Sequence, residues 1–179
     1  MSDSDLILWI QNGHPDYLNI LLENHIDNIF KSCYRVCLDE AQANDITQNV
    51  VLKIIKYIHK FEMKSEFSTW YYRIAYNESM TFLKKQKKYI EYDEVENYII
   101  DETTDFYKID RDIQGKDITD SINTLNVLDR NIILYFYYDD KKIREISEIM
   151  ELNENTVKTR LSRAKKKLQS LLIKYENNN

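Results

Sequence analysis

The sequence predicts an all-α fold in two small helical domains, on three observations. The 179 residues include only 2 Gly and 1 Pro, far below the roughly 12 % of an average protein. Such a chain cannot supply the tight turns of a β-sandwich or a doubly wound sheet. Apolar residues recur at helical spacing through the first and last thirds. Between them lies an acidic stretch of weak periodicity, longer than a compact domain accommodates as a loop. With 43 % hydrophobic and 31 % charged residues, the rest of the chain can bury cores. Scarce glycine also argues against a glycine-cradled nucleotide site. Two cysteines cannot build a disulfide framework. No basic-then-apolar leader opens the chain, and no apolar run nears the ~20 residues that span a bilayer. A cytoplasmic protein without membrane insertion is expected.

The elements follow in order. Leu6, Ile7, Trp9 and Ile10 open a first helix, which Asn12-Gly13-His14-Pro15 stops. Tyr17, Leu18, Leu21, Leu22 and Ile29 carry a second to about Cys37. A third is predicted from near Asp45, with Val50, Ile54, Tyr57, Ile58 and Phe61 as its apolar stripe. Glu62 to Glu66 reads as a loop. A fourth helix, about Ser68 to Lys88, sets Tyr71, Ile74, Ala75 and Phe82 on one face. Arg73, Asn77, Met80, Lys84 and Lys88 fall on the other. In the last third, Leu125 to Tyr138 is strongly apolar, and Ile143, Ile146, Ile149 and Met150 mark a short helix. After a turn at 151–154, Val157, Leu161, Ala164, Leu168 and Leu172 form a stripe, with Asn153 or Asn155 as N-cap. The expected domains are 1–90 and 121–175, joined by an acidic linker over 91–120.

Net charge is −5, which taken alone disfavours a polyanionic partner, but the charge is segregated. Residues 1–52 are net −6, 53–88 net +6, 91–120 net −8 and 141–174 net +6. Two basic blocks therefore flank an acidic middle, and such asymmetry suits nucleic acid.

Two local patterns point the same way. The helices predicted at 143–150 and 155–172, joined by a four-residue turn, have the lengths of a helix-turn-helix. The second buries its Val157 stripe and presents Lys158, Thr159, Ser162, Arg163 and Lys166, side chains suited to base edges and phosphates in a major groove. Residues 155–174 carry seven cations and no acid, the footprint phosphate contact needs. The plainer reading is a solvated basic face. The second pattern is the loop 61–69 running into the fourth helix, where Phe61, Phe67, Trp70, Tyr71 and Tyr72 mix with Lys60, Lys64 and Arg73. Aromatics beside cations suit unpaired bases, which stack on rings while cations hold the backbone. Against this, Trp70 and Tyr71 read better as core, and the cations could be a solvated face.

Asp45-Ile46-Thr47-Gln48-Asn49-Val50 and Phe67 through Asn77 resemble region two of extracytoplasmic-function sigma factors. Leu125 to Leu168, with Thr156-Val157-Lys158-Thr159-Arg160-Leu161-Ser162-Arg163-Ala164, resembles their region four. The resemblance covers nearly the whole chain. It implies two helical domains on a flexible linker and a promoter-specificity subunit that directs bacterial RNA polymerase core to promoter DNA. It assigns core docking to Asp45, Gln48, Asn49 and Leu52. The opened minus-ten strand falls to Phe61, Lys64, Ser65, Phe67, Arg73, Asn77, Lys84, Lys85 and Lys88. The minus-thirty-five duplex falls to Thr156, Lys158, Thr159, Ser162, Arg163 and Lys166. An anti-sigma protein is a further partner that it admits. The chain departs from the family pattern in several places. Asn49 stands where an acid is usual, Asp140 and Glu151 where glycine is usual, and Ser147 where alanine is usual. The loop 61–67 lacks the glycine and aspartate often seen there.

No nucleophile–base pair suggests an enzyme, and no cofactor is implied. Cys33 and Cys37, with His25 nearby, fall short of the four ligands of a tetrahedral metal site and read as core thiols. The residues alone leave two alternatives open. One is a stand-alone helix-turn-helix regulator that ignores polymerase, which would have no need of 61–88. The other is a non-DNA interaction protein with acidic surfaces.

Overall fold

A computed structural model describes the backbone of residues 1–90 and 120–178, with side chains for 1–86 and 120–170. The chain splits into two compact units, Met1–Asn97 and Tyr98–Asn179. Nearly all of the expected acidic linker, 91–119, lies outside the described residues. Every element described is helical.

The first unit begins with α1, Asp3–Gln11. Ser2 Oγ accepts from the Asp5 N–H (3.2 Å), and the Asp5 carboxylate accepts from the Ser2 N–H (3.0 Å). This reciprocal cap satisfies donors the first turn would leave open, and its hydrogen bonds hold the Asp5 carboxyl below its usual range. The helix stops at the expected turn, where Gly13 takes φ +92°, a conformation that disfavours a Cβ. Helix α2 spans Tyr17–Cys37.

Helix α3, Glu40–Tyr57, starts five residues before the Asp45 predicted from the sequence. Asp39 Oδ1 caps it by accepting from the Gln42 N–H (2.8 Å). A 3-10 turn, Ile58–Lys60, follows, and α4 then runs Phe67–Ile90. Helices α2, α3 and α4 pack together, while α1 lies on α2 and the 3-10 turn. Leu6, Ile10, Leu21, Ile29, Ile46, Val50, Ile54, Ile58 and Tyr71 are buried at the centre. Each such side chain contributes on the order of 1.5–3 kcal/mol.

The second unit opens on helical residues 120–123, followed by α5, Val127–Tyr137, α6, Ile143–Met150, and α7, Glu154–Asn178. Within the apolar run from Leu125 to Tyr138, the helix starts at Val127 because Asn126 caps α5, its Oδ1 accepting from the Asp129 N–H (3.0 Å). Ile132, Ile133, Tyr135, Ile146, Ile149, Val157 and Ala164 form the core.

Among the described residues, four corners without glycine are left-handed: Leu38, Met63, Asp140 and Glu151, with φ between 50° and 59°. Asp140 and Glu151 stand at positions where the resemblance expects glycine. The backbone therefore keeps the glycine conformation without the glycine, at a cost of roughly 1–2 kcal/mol for an ordinary side chain. Asp tolerates the region better than Glu. Glu151→Gly is therefore expected to stabilise the second unit by about 0.5–1 kcal/mol, once the larger backbone entropy of glycine is subtracted. Thermal melting checks this, and a lower melting temperature would mean that the Glu151 side chain contributes more than its backbone costs.

Candidate nucleic-acid interface

In the second unit the turn between α6 and α7 is built locally. Glu151 ends α6 in the left-handed conformation (φ 54°, ψ 40°). The Ser147 hydroxyl donates to the Leu152 carbonyl, and the Leu152 N–H donates to the Ser147 carbonyl (3.1 Å). Ser147, one of the departures from the family pattern, thus stitches the turn. Of the two candidate caps, Asn153 is used, its Oδ1 accepting from the Thr156 N–H (2.7 Å). Val157, Leu161 and Ala164 are buried as the apolar stripe predicts, with Leu168 half-buried.

Lys158, Thr159, Ser162, Arg163 and Lys166 are all exposed, and Thr156 is half-buried beside the cap. Lys158 lies 3.7 Å from Glu154, one helical turn back, a pairing worth little at the surface. Sequence reasoning missed Arg160. Its Nη1 donates to Asp129 Oδ1 (2.9 Å) on α5, and Asp129 also accepts from Asn126 Nδ2 (2.6 Å). Arg160 therefore ties the helix carrying the basic face to α5. Its position on the flank of the apolar stripe was the only signal available in the sequence.

In the first unit the loop before α4 has an aromatic floor. Phe61 and Phe67 are only 7 % and 4 % exposed. Their ring centroids are 6.0 Å apart, and Trp70 lies 5.0 Å from Phe61. Tyr71 meets Phe67 at 5.4 Å and Tyr72 at 4.6 Å. Both rings, which the resemblance assigns to the opened strand, are thus buried among aromatic neighbours. Each finds more apolar surface in its neighbours than at the loop's rim. What the loop offers to solvent is Lys64, paired with Glu62, together with Glu66 and half-buried Met63 and Ser65. That pairing holds the Glu62 carboxyl below its usual range. Along α4, Arg73, Lys84 and Lys85 are exposed and Asn77 is half-buried, while the Lys88 side chain lies outside the described residues. Lys53 on α3 pairs with Glu78 on α4.

On α3, Asp45, Gln48, Asn49 and Leu52 are all exposed, at offsets of 0, 3, 4 and 7 that put them on one face. Leu52 is 63 % exposed, and Ile55, one turn further on, is 39 % exposed.

Of the two cysteines, Cys33 belongs to the core and Cys37 is half-buried. Cys33 is buried, which pushes its thiol up to about 11, and Cys37 donates to the Cys33 carbonyl (3.3 Å). Among the described residues, no three His, Cys, Asp or Glu side chains are grouped to hold a metal ion. No described helix is long and apolar enough to cross a membrane.

The sequence matches the family described as Sigma-70 region 2 over residues 21–89 and the one described as Sigma-70, region 4 over residues 116–168. RNA polymerase sigma factor SigV of Bacillus subtilis (strain 168) is 28 % identical over 157 residues, covering 87 % of this chain and 90 % of that one. ECF RNA polymerase sigma factor SigW of the same organism is 28 % identical over 177 residues, covering 93 % and 94 %. Two solved structures share the fold. One is the sigma factor RpoE of Bartonella quintana in complex with the anti-sigma factor NepR, with a TM-score of 0.68 and 22 % identity over 84 % of this chain and 93 % of that one. The other is CnrH with the cytosolic domain of CnrY, with a TM-score of 0.67 and 16 % identity over 95 % and 96 %. Both sigma regions occur here in order, and together they take in more than half of the chain. The chain belongs to the sigma-70 family, in its extracytoplasmic-function branch.

Proposed function

We propose that the protein is a promoter-specificity subunit that docks on RNA polymerase core in the cytoplasm and directs initiation through two DNA contacts. The observation that carries this reading is the presence in one chain of two distinct cation-bearing surfaces, one per unit. The exposed α7 face, Lys158 to Lys166, suits duplex DNA, with Arg163 and Lys166 on phosphates and Thr159 and Ser162 near base edges. The loop 61–67 with Arg73, Asn77, Lys84 and Lys85 suits a single strand held by its backbone, with a base accepted at the loop rim by Lys64 and Ser65. The α3 face at Asp45, Gln48, Asn49 and Leu52 suits docking on polymerase.

The mechanism is differential binding, and the protein makes and breaks no covalent bond itself. Unpairing costs a few kcal/mol per step. Contacts made only to the opened strand repay that cost and shift the melting equilibrium, while duplex contacts set register. The reading leaves room for an anti-sigma partner, the class bound by the Bartonella quintana protein.

The test is titration of labelled protein with core RNA polymerase, followed by transcription from fragmented AT-rich bacterial DNA. Tight binding and discrete start sites are expected, and Leu52→Asp should lower core affinity at least about tenfold by setting a charge where an apolar side chain is buried on docking. Salt-sensitive duplex binding without core binding would overturn the reading in favour of a stand-alone regulator.

A further inference from the structure

We propose that α1 is a strut that sets the shape of the strand-capturing loop, with Gln11 as its positioning residue; the inference rests on the promoter reading above. Gln11 Nε2 donates to two backbone carbonyls at once, Ile58 (3.0 Å) and Phe61 (2.9 Å). These bracket the point where the 3-10 turn ends and the loop begins. The primary amide has two N–H donors, and two carbonyls fix which way it faces. The far end of the loop is also referred to α1. Phe67 packs its ring against His25 (5.3 Å), and His25 Nε2 pairs with Asp3 Oδ2 (2.9 Å). Asp3 and Gln11 stand at opposite ends of one helix, about 12 Å apart at ~1.5 Å per residue. One rigid element therefore sets the positions of both loop ends.

The loop needs such support. Met63 sits at φ 53°, and a residue in that region persists only where its surroundings over-determine it. Gln11 also lies outside residues 21–89, the segment matched to region 2. Nothing in that match assigns it a role.

The test uses holoenzyme assembled from core polymerase and the full chain, with a promoter fragment taken from the mapped start sites. One version of the fragment is fully paired and the other has its minus-ten segment unpaired. Gln11→Glu keeps the shape but turns two donors into acceptors facing two carbonyls. Gln11→Met keeps the shape without charge. Both should lower affinity for the unpaired fragment, Gln11→Glu by about tenfold, roughly the loss of one well-made hydrogen-bonded contact. Core affinity should stay within about twofold of wild type, because α3 is untouched. In a Trp9→Phe background, Trp70 fluorescence reports the floor directly, since Trp70 packs on Phe61, and Gln11→Glu should shift its emission. Unchanged affinity for the unpaired fragment in both variants would overturn the inference. So would an equal loss of core binding, which would mark general unfolding. If wild-type holoenzyme held the unpaired fragment no better than the paired one, the promoter reading would fail and take the loop's functional role with it. An unchanged Trp70 spectrum would separately refute the structural claim.

Discussion

Replacing Lys158, Arg163 and Lys166 together by alanine is expected to weaken duplex promoter binding about a hundredfold near 0.15 M salt and to flatten its salt dependence. Each phosphate neutralised by a cation releases counterion, so log affinity falls with log salt by about 0.9 per contact. Losing three contacts should reduce that slope by roughly 2.7. All three side chains are exposed on α7, so the substitution removes charge without opening the core. Lys158 shares its charge with Glu154 at 3.7 Å and should contribute the least of the three. Arg160→Ala is the contrasting variant. Arg160 is engaged with Asp129, so its loss should cost the second unit about 1 kcal/mol of stability and leave the salt slope near wild type. Affinity measured for wild-type and variant holoenzymes at several salt concentrations decides the matter. A triple variant with the wild-type slope would mean that α7 does not face phosphate.

The contrast between Arg163 and Arg160 shows how far sequence reading reaches. The apolar stripe Val157, Leu161, Ala164 is a local periodic signal and survives folding unchanged, so the exposed face opposite it was legible. Arg160 borders that stripe, and its partner Asp129 is 31 residues away. Only tertiary structure brings the two together. The same limit applies to the loop. The sequence shows that Phe61 and Phe67 are aromatic but not which rings they meet, and in the fold their centroids lie 6.0 Å apart. Periodicity does not mark the start of α3, because Glu40-Ala41-Gln42 carries no large apolar side chain, only the cap from Asp39. At Asp140 and Glu151 a chain poor in glycine could have reshaped its corners. The observed positive φ values mean that tertiary packing outweighs local propensity there. Gln11 carried no signal in the sequence, since a glutamine at the end of a helix is ordinary until the carbonyls it meets are known.

Truncating Tyr71 to alanine should have the largest effect on stability. Tyr71 is 1 % exposed, and its ring lies 5.2 Å from His25, 5.4 Å from Phe67 and 4.6 Å from Tyr72. It thus joins α2 to α4 beneath the loop. Removing a buried aromatic ring costs about 3–5 kcal/mol, because the lost transfer free energy is joined by a cavity that its neighbours fill only in part. A domain of this size loses roughly 4–8 °C of melting temperature per kcal/mol. The first unit should therefore melt about 12–40 °C lower, read from the near-ultraviolet dichroism of its aromatic cluster. Tyr71→Phe keeps the ring and separates packing from whatever the hydroxyl contributes. Because the cluster is both loop floor and domain core, Tyr71→Ala should lower core docking and strand capture together, whereas Gln11→Glu should separate them. A melting shift below about 5 °C, under roughly 0.6–1.3 kcal/mol, would mean that the rings pack too loosely to hold Phe61 and Phe67 in place. The Gln11 hydrogen bonds would then be what ties the loop to α1.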